Sequence, residues 1–298
     1  MDTPRRRAPH EVTMNDAPDD GFEDPRRFLS RHALRPKDSF GQCFLIAPPV
    51  ARAIVEAVDP RADETIVEVG TGPGTLAKMI APRARRVVAI ERDRDMVRAL
   101  LAEKLAPNIE VVEADAAAWD YTAVEGPYAV VGNLPYQITG RLLRVMQTPP
   151  IRWRTCVVMV QLEVARRMLA APNDDDWGAL SVFTQAGCDV TKVCPASPGC
   201  FHPEPRVHSM VVKLTPRVTP RAVETNTYQA VVHALFSARR KTLRNGVSAL
   251  VPREAAGEVC VAAGIDPGAR PETLSVEQLG ALAGAIDAER RARTPNGA

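Results

Sequence analysis

Several features are missing from this chain of 298 residues. No apolar run approaches the roughly 20 residues that a membrane-spanning helix needs. The N-terminus has no apolar signal-peptide core, so the expectation is a cytoplasmic protein. Six cysteines are present (Cys43, Cys156, Cys188, Cys194, Cys200 and Cys260), but none forms a C-x-x-C pair. That argues against a zinc ribbon or a dithiol redox motif, and in a reducing compartment the six read as free thiols. The five histidines are scattered, so no metal site is expected. There are no internal repeats. Excess charge is also missing. The net charge is +2 at pH 7, which neither demands nor excludes a polyanionic partner, because a local basic patch can sit inside a balanced total.

What is present is ordinary globular composition, 45% hydrophobic and 25% charged, in a chain long enough for two domains. Residues 1–30 mix Pro, Arg and Asp without periodicity and read as a disordered tail. Residues 31–42, "RHALRPKDSFGQ", read as a basic ordered arm. "PPVARAIVEAV" follows as a helix with prolines tolerated in its first turn. From Thr65 the chain alternates apolar strands ("TIVEV", "RVVAIE", "IEVVEA", "YAVVG", "TCVVMV") with helical segments ("TLAKMI", "RDMVRALLAEKL", "RLLRVMQ", "LEVARRML"). That alternation predicts a doubly wound α/β sheet. "GALSVFTQAG" reads as a further helix. "CDVTKVCP" and "RVHSMVVKLTP" suggest an antiparallel pair at the sheet edge. After about residue 217 the strands stop. "YQAVVHALFSARRKTLRNGVSAL", "REAAGEVCVAAG" and "SVEQLGALAGAI" read as helices of a small all-helical domain over 217–298, with "ERRARTPNGA" as a loose end.

"VEVGTGPGTL" follows the first strand of the alternation and opens a helix. Gly70, Gly72 and Gly74 let the backbone turn sharply and approach a ligand closely; the alternative is a tight strand-to-helix turn and nothing more. The spacing is G-x-G-x-G, not the dinucleotide G-x-G-x-x-G, and the Walker G-K-[ST] is absent. Phosphate cradling is therefore poorly supported, and a nicotinamide dehydrogenase is disfavoured. S-adenosylmethionine carries no phosphate and still needs a close backbone. Glu91 ends the next strand, placed to accept from ribose hydroxyls. Asp115 follows the third strand, placed to accept from an adenine amine. Either acid alone could be a solvated loop residue or a helix cap. A glycine loop, Glu91, Asp115 and then Asn133 at four successive strand ends form a series, and ligands of open α/β sheets bind at carboxyl ends of strands.

Taken in order, "SFGQCFL", "VEVGTGPGTLA", "AIERDRDM", "EADA", "GNLPYQIT" and "GCFHPEPRVHSMVV" resemble the ribosomal RNA adenine N6,N6-dimethyltransferases of the KsgA/RsmA type. The likeness runs from about residue 37 to about 283, and "FSARRKTLRNGV" and "RPETLSVEQLGAL" are similar to that family's C-terminal helices. The resemblance implies a Rossmann-like methyltransferase sheet that uses S-adenosylmethionine, with S-adenosylhomocysteine as product. Gln42, Cys43 and Leu45 would line the methionine end beside the glycine loop, Glu91 would take the ribose, and Asp115 the adenine amine. The family usually carries Asn or His where this chain has Cys43.

The resemblance also gives "GNLPYQITG" a chemistry. Adenine N6 is a poor nucleophile because its lone pair is delocalised into the ring. Acceptors for its two hydrogens, the Asn133 side-chain oxygen and the Leu134 carbonyl, favour a tetrahedral nitrogen, and Asn133 also borders the cofactor. Pro135 stiffens the loop, and Tyr136 is suited to stack on the base. Phe201 would close the base's other face; the alternative is a core phenylalanine. Arg239, Arg240, Lys241 and Arg244, with 240 and 244 on one helical face, suggest an RNA phosphate surface, to which Arg35 and Lys37 could add; a solvated face is the alternative.

The implied activity is dimethylation of two adjacent adenines in small-subunit (16S) ribosomal RNA, on a pre-30S particle, by a monomer. Two alternatives stay open: an Erm-type large-subunit (23S) enzyme conferring antibiotic resistance, and a non-catalytic RNA-binding assembly factor of the same fold.

Overall fold

The computed structural model describes residues 20–135, 138–146, 152–238 and 241–293. The β-branched runs build the sheet. They are β1 (Phe44–Leu45), β2 (Thr65–Val69), β3 (Arg86–Glu91), β4 (Ile109–Glu113), β5 (Tyr128–Asn133), β6 (Cys156–Gln161), β7 (Cys188–Ala196), β8 (Phe201–His202) and β9 (Ser209–Pro216). Seven of them form one sheet in the order β4-β3-β2-β5-β6-β9-β7. The first five run parallel, while β9 is antiparallel to both β6 and β7. The doubly wound expectation holds, including the antiparallel pair at the edge. β1 and β8 form a separate two-stranded ribbon.

Helices cover the sheet where the 3.6-residue period predicts them: α1 (Pro25–Arg31), α2 (Pro48–Val58), α3 (Thr75–Ile80), α4 (Arg94–Ala102), α5 (Thr139–Met146), α6 (Leu162–Leu169) and α7 (Ala179–Gly187). Helix α2 shows why. Ala51, Ile54, Val55 and Val58 recur on one face, and all four are buried against β5, β6 and β7. Each of the three larger side chains taken from water contributes about 1.5–3 kcal/mol.

The sheet's order reverses between β2 and β5, and the crossing is tight there. A Cβ on Gly132 would lie 2.6 Å from the Val69 carbonyl, so only glycine lets β5 approach the end of β2. This reversal is where open α/β sheets bind ligands.

The second region is helical: α8 (Asn226–Phe236), α9 (Leu243–Val247), α10 (Ala256–Ala262) and α11 (Val276–Arg293). Its core joins Tyr228, Val232, Leu243, Cys260 and Leu282 to Trp177 and Val182 from the α7 region. Helix α7 also packs on β7, so the apolar core does not divide at residue 217.

Three expectations need correcting. Residues 24–30 are not part of a loose tail, because Asp24 caps α1 and Phe28 and Leu29 are buried with Met96 and Leu100 of α4; residues 1–19 lie outside the described residues. The C-terminal segment "ERRAR" is helical, since α11 runs to Arg293 and Thr227 Oγ1 donates to Asp287 on it at 2.6 Å. The single helix expected from Tyr228 to Leu250 ends at Phe236 and restarts at Leu243. No helix among the described residues is long and apolar enough to cross a membrane.

Candidate active site

A cleft opens at the carboxyl ends of β2, β3 and β5. The loop after β2 forms its floor. Gly70, Gly72 and Gly74 all take left-handed φ angles, of 69°, 53° and 76°. Gly72 is constrained twice, because a Cβ there would also lie 2.8 Å from the Phe44 ring. The N–H groups of Gly70 and Thr71 both donate to the Ile90 carbonyl, at 2.9 and 3.1 Å. The loop is thereby tied to the end of β3, where Glu91 stands.

Glu91 is buried, and its carboxylate is held by backbone. Oε2 accepts from Gly72 N–H at 2.9 Å, and Oε1 accepts from Arg92 and Asp93 N–H at 2.9 and 2.8 Å. Burial raises its pKa above the usual carboxylate range despite these bonds. Of roughly four lone-pair positions on a carboxylate, one is left for a ligand. Asp115 also lines the cleft. Its Oδ1 accepts from Ala117 N–H at 2.9 Å, while Oδ2 lies 4.0 Å from Arg141 Nη1.

The cleft spans about 860 Å3 counting its open mouth. Among the described residues, Arg92 is its only cationic lining residue, and its guanidinium lies over the Phe40 ring at 5.8 Å. Two carboxylates facing apolar walls (Val69, Ile90, Leu142) suit a nucleoside rather than a phosphate. The donor set fits S-adenosylmethionine: acceptors for a hydroxyl and an amine, and a glycine floor that a Cβ would fill.

Asn133 ends β5 at the cleft wall. Its Nδ2 donates to the Cys43 carbonyl at 2.8 Å. A carbonyl accepts only from the amide NH2, so Nδ2 is turned to the arm and Oδ1 away from the Cys43 carbonyl. Cys43 thus contributes its backbone, and replacing the family's usual Asn or His leaves this contact intact. Burial pushes the Cys43 thiol up, away from the thiolate form, so it is not an activated nucleophile. Leu134 N–H donates to Met159 O at 3.0 Å, and Pro135 O accepts from Ile138 N–H at 3.1 Å and Thr139 Oγ1 at 2.9 Å. The Asn-Leu-Pro segment is therefore fastened to β6 on one side and to the start of α5 on the other.

Comparison with known proteins fits this geometry. The family model described as ribosomal RNA adenine dimethylase matches residues 33–287. The chain belongs to that family. It is 40% identical to the ribosomal RNA small subunit methyltransferase A of Myxococcus xanthus, over 89% of this chain and 96% of that one. It is 41% identical to the protein of the same name from an Anaeromyxobacter species, over 88% and 98%. Among solved structures, the 23S rRNA methyltransferase ErmE is 28% identical with a TM-score of 0.64, covering 82% of this chain and 99% of its own. A Plasmodium falciparum dimethyladenosine transferase, 24% identical with a TM-score of 0.74 over 83% and 98%, shares the fold.

Not every residue expected from the dimethylase resemblance meets at the cleft. Gln42, Cys43, Gly70, Gly72, Glu91, Asp115, Asn133, Leu134 and Pro135 do. Gly74 instead precedes α3 as its left-handed cap. Leu45 is turned into the core and pairs with Phe201 across the ribbon; Phe44 lines the cleft in its place. Phe201 is 3% exposed and packed in that same core, so the alternative core reading applies to it. Lys37, expected on an RNA surface, has its Nζ 2.6 Å from Asp93 and 2.7 Å from Asp95. Its charge is matched within the fold. Arg35, Lys241 and Arg244 are exposed. Tyr136, Arg239 and Arg240 lie outside the described residues.

Sequence reasoning missed Asp93. Its carboxylate caps α4 through Asp95 N–H and takes both Lys37 and Gln42. Only the cap was visible locally, as a D-x-D step after a strand; its partners are 56 and 51 residues away.

Proposed function

We propose that this protein transfers methyl groups from S-adenosylmethionine to N6 of two adjacent adenines in small-subunit ribosomal RNA, acting as a monomer on a small-subunit precursor. The observation that carries the reading is the Asn133 amide, oriented by the Cys43 carbonyl at the rim of a cleft whose buried acid is Glu91.

Glu91 and Asp115 would hold the cofactor through its ribose and adenine amine, with Gly70 and Gly72 giving it room. When bound, that cofactor supplies an electrophilic sulfonium methyl. The protein's own part concerns the target adenine. Asn133 Oδ1 accepts one N6 hydrogen, and the Leu134 carbonyl is suited to the second. These bonds favour a pyramidal nitrogen with its lone pair free to attack. No strong base is required, because a methylated, cationic N6 loses its proton readily. Fixed acceptors need no reorganisation at the moment of reaction, and holding the amine in line supplies much of the rate. Tyr136 is suited to stack on the extruded base, a contact worth about 1–3 kcal/mol. Arg35, Lys241 and Arg244, with Arg239 and Arg240 of the same sequence segment, are candidates for phosphate contacts.

Relatives at about 40% identity bear a small-subunit name, while ErmE, with a large-subunit name, stands at 28%; this supports the small-subunit reading. The test incubates the protein with labelled cofactor and unmethylated small and large subunits, then maps the label. Dimethyladenine in small-subunit RNA is the expected result. Label in large-subunit RNA alone, or none, overturns the reading.

A further inference from the structure

The arm from Lys37 to Phe44 is closed on itself before it reaches Asn133. The Lys37 carbonyl accepts from Phe40 N–H at 3.1 Å and Gln42 N–H at 3.4 Å. Lys37 N–H donates to Gln42 Oε1 at 2.8 Å. Gly41 completes the turn in a left-handed conformation. The turn is then fastened to the start of α4. Lys37 Nζ bridges Asp93 and Asp95, and Gln42 Nε2 donates to the other Asp93 oxygen at 2.8 Å. Phe40 fills the space between the Lys37 ammonium, 5.6 Å from its ring, and Arg92. The residue after Gln42 is Cys43, whose carbonyl takes the Asn133 amide. The next, Phe44, enters the β1–β8 ribbon opposite His202. The Cys43 carbonyl is thus fixed from both sides, by the ribbon after it and by the Lys37 turn before it.

We infer that Lys37 is a positioning residue for Asn133: its ion pairs to Asp93 and Asp95 hold the arm turn that sets the Cys43 carbonyl, and that carbonyl sets which face of the Asn133 amide meets the target amine. The inference rests on the methyl-transfer reading above. Two arguments favour this role over an RNA contact. Both neighbouring carboxylates already compensate the ammonium, and its bonds to them raise its pKa. The same Asp93 donates its backbone N–H to Glu91, so the latch lies between the cofactor's acid and the arm.

The experiment compares Lys37→Met, Lys37→Arg and Asp95→Asn with the parent protein, each also combined with Asn133→Ala. Single-turnover methyl transfer at saturating cofactor should fall about 10- to 100-fold in Lys37→Met, the scale of a small misplacement. It should fall less in Asp95→Asn and largely recover in Lys37→Arg. In the Asn133→Ala background Lys37→Met should cost nothing further, because the two act in series. The Asn133 side-chain NH2 signal of cofactor-free protein, assigned by its loss in Asn133→Ala, should move and exchange faster in Lys37→Met and Asp95→Asn. RNA affinity should keep its salt dependence. Independent, multiplicative losses, an unmoved Asn133 signal, or a salt slope reduced by about 1 would overturn the inference. If the parent protein methylates no small-subunit RNA, the functional reading fails, yet the amide signal still decides whether Lys37 sets Asn133.

Discussion

The side-chain amide of Asn133 and the main-chain carbonyl of Cys43 meet at 2.8 Å across 90 residues of sequence. Because the contact uses backbone at position 43, Cys43→Ala should leave cofactor affinity and methyl transfer close to those of the parent. Asn133→Asp should not be tolerated. A carboxylate cannot donate to the carbonyl, and the turn loses its anchor. Loss of one preorganised polar partner costs about 10²–10³ in rate, and single-turnover kinetics will read it.

Glu91→Gln keeps the shape of the buried side chain but exchanges one acceptor oxygen for an NH2. That group would face the N–H of Gly72, or those of Arg92 and Asp93. Leaving a buried donor unsatisfied costs about 1–3 kcal/mol. Calorimetric titration with S-adenosylmethionine should show affinity weakened by roughly 5- to 150-fold, one decade per 1.4 kcal/mol.

Glu68 lies beneath the glycine loop, accepting from Thr71 Oγ1 at 2.6 Å. Burial pushes its pKa from 4.5 up to about 8, with the nearby Glu91 charge adding in the same direction. The folded state therefore keeps a proton that the unfolded chain has released. Its contribution to stability is complete below about 4.5 and is lost as pH rises to about 8. In that window it falls by about 1.4 kcal/mol per pH unit. Chemical denaturation of Glu68→Gln should show a flatter stability profile than the parent over that range. Parallel profiles would refute the assignment.

Gly72→Ala brings a Cβ to 2.8 Å from the Phe44 ring at a φ of 53°. Left-handed strain alone costs about 1–3 kcal/mol. Trimming the ring in a Phe44→Ala partner should recover only the steric share. Urea midpoints of the two single variants and the double variant separate the contributions.

Phe201→Ala distinguishes a packing role from base stacking. A buried phenylalanine cut to alanine costs about 3–5 kcal/mol, so the melting temperature should drop. Folded protein below that temperature should bind RNA nearly as the parent does. A large loss of target affinity at unchanged stability would return Phe201 to the substrate.

Much of this was legible in the sequence because it is local. Apolar strand runs, a helix with buried positions at Ala51, Ile54, Val55 and Val58, and polar groups at successive strand ends each repeat a short-range rule. What stayed hidden depends on distant partners. Helix α1 offers only Phe28 and Leu29 as buried large side chains over seven residues, too few to show a period, and α4 supplies the surface they need. Lys37 looked like a free cation because Asp93 and Asp95 lie 56 and 58 residues on. Phe201 carried the right motif, but facing cleft or core is decided by its pairing with Leu45, which no local pattern announces.

Helix α7 touches β7 on one side and both α8 and α11 on the other, and with Trp177 before it belongs to the helical core. A break after residue 216 would therefore strip cover from Trp177 and Val182, both almost fully buried, and from Ala186. The chain's change of character near residue 217 marks where strands give way to helices, while the helical core reaches back to Trp177. Heat or denaturant should meet the catalytic sheet and the helical bundle as one melting unit, so that damage in either is felt as loss of both.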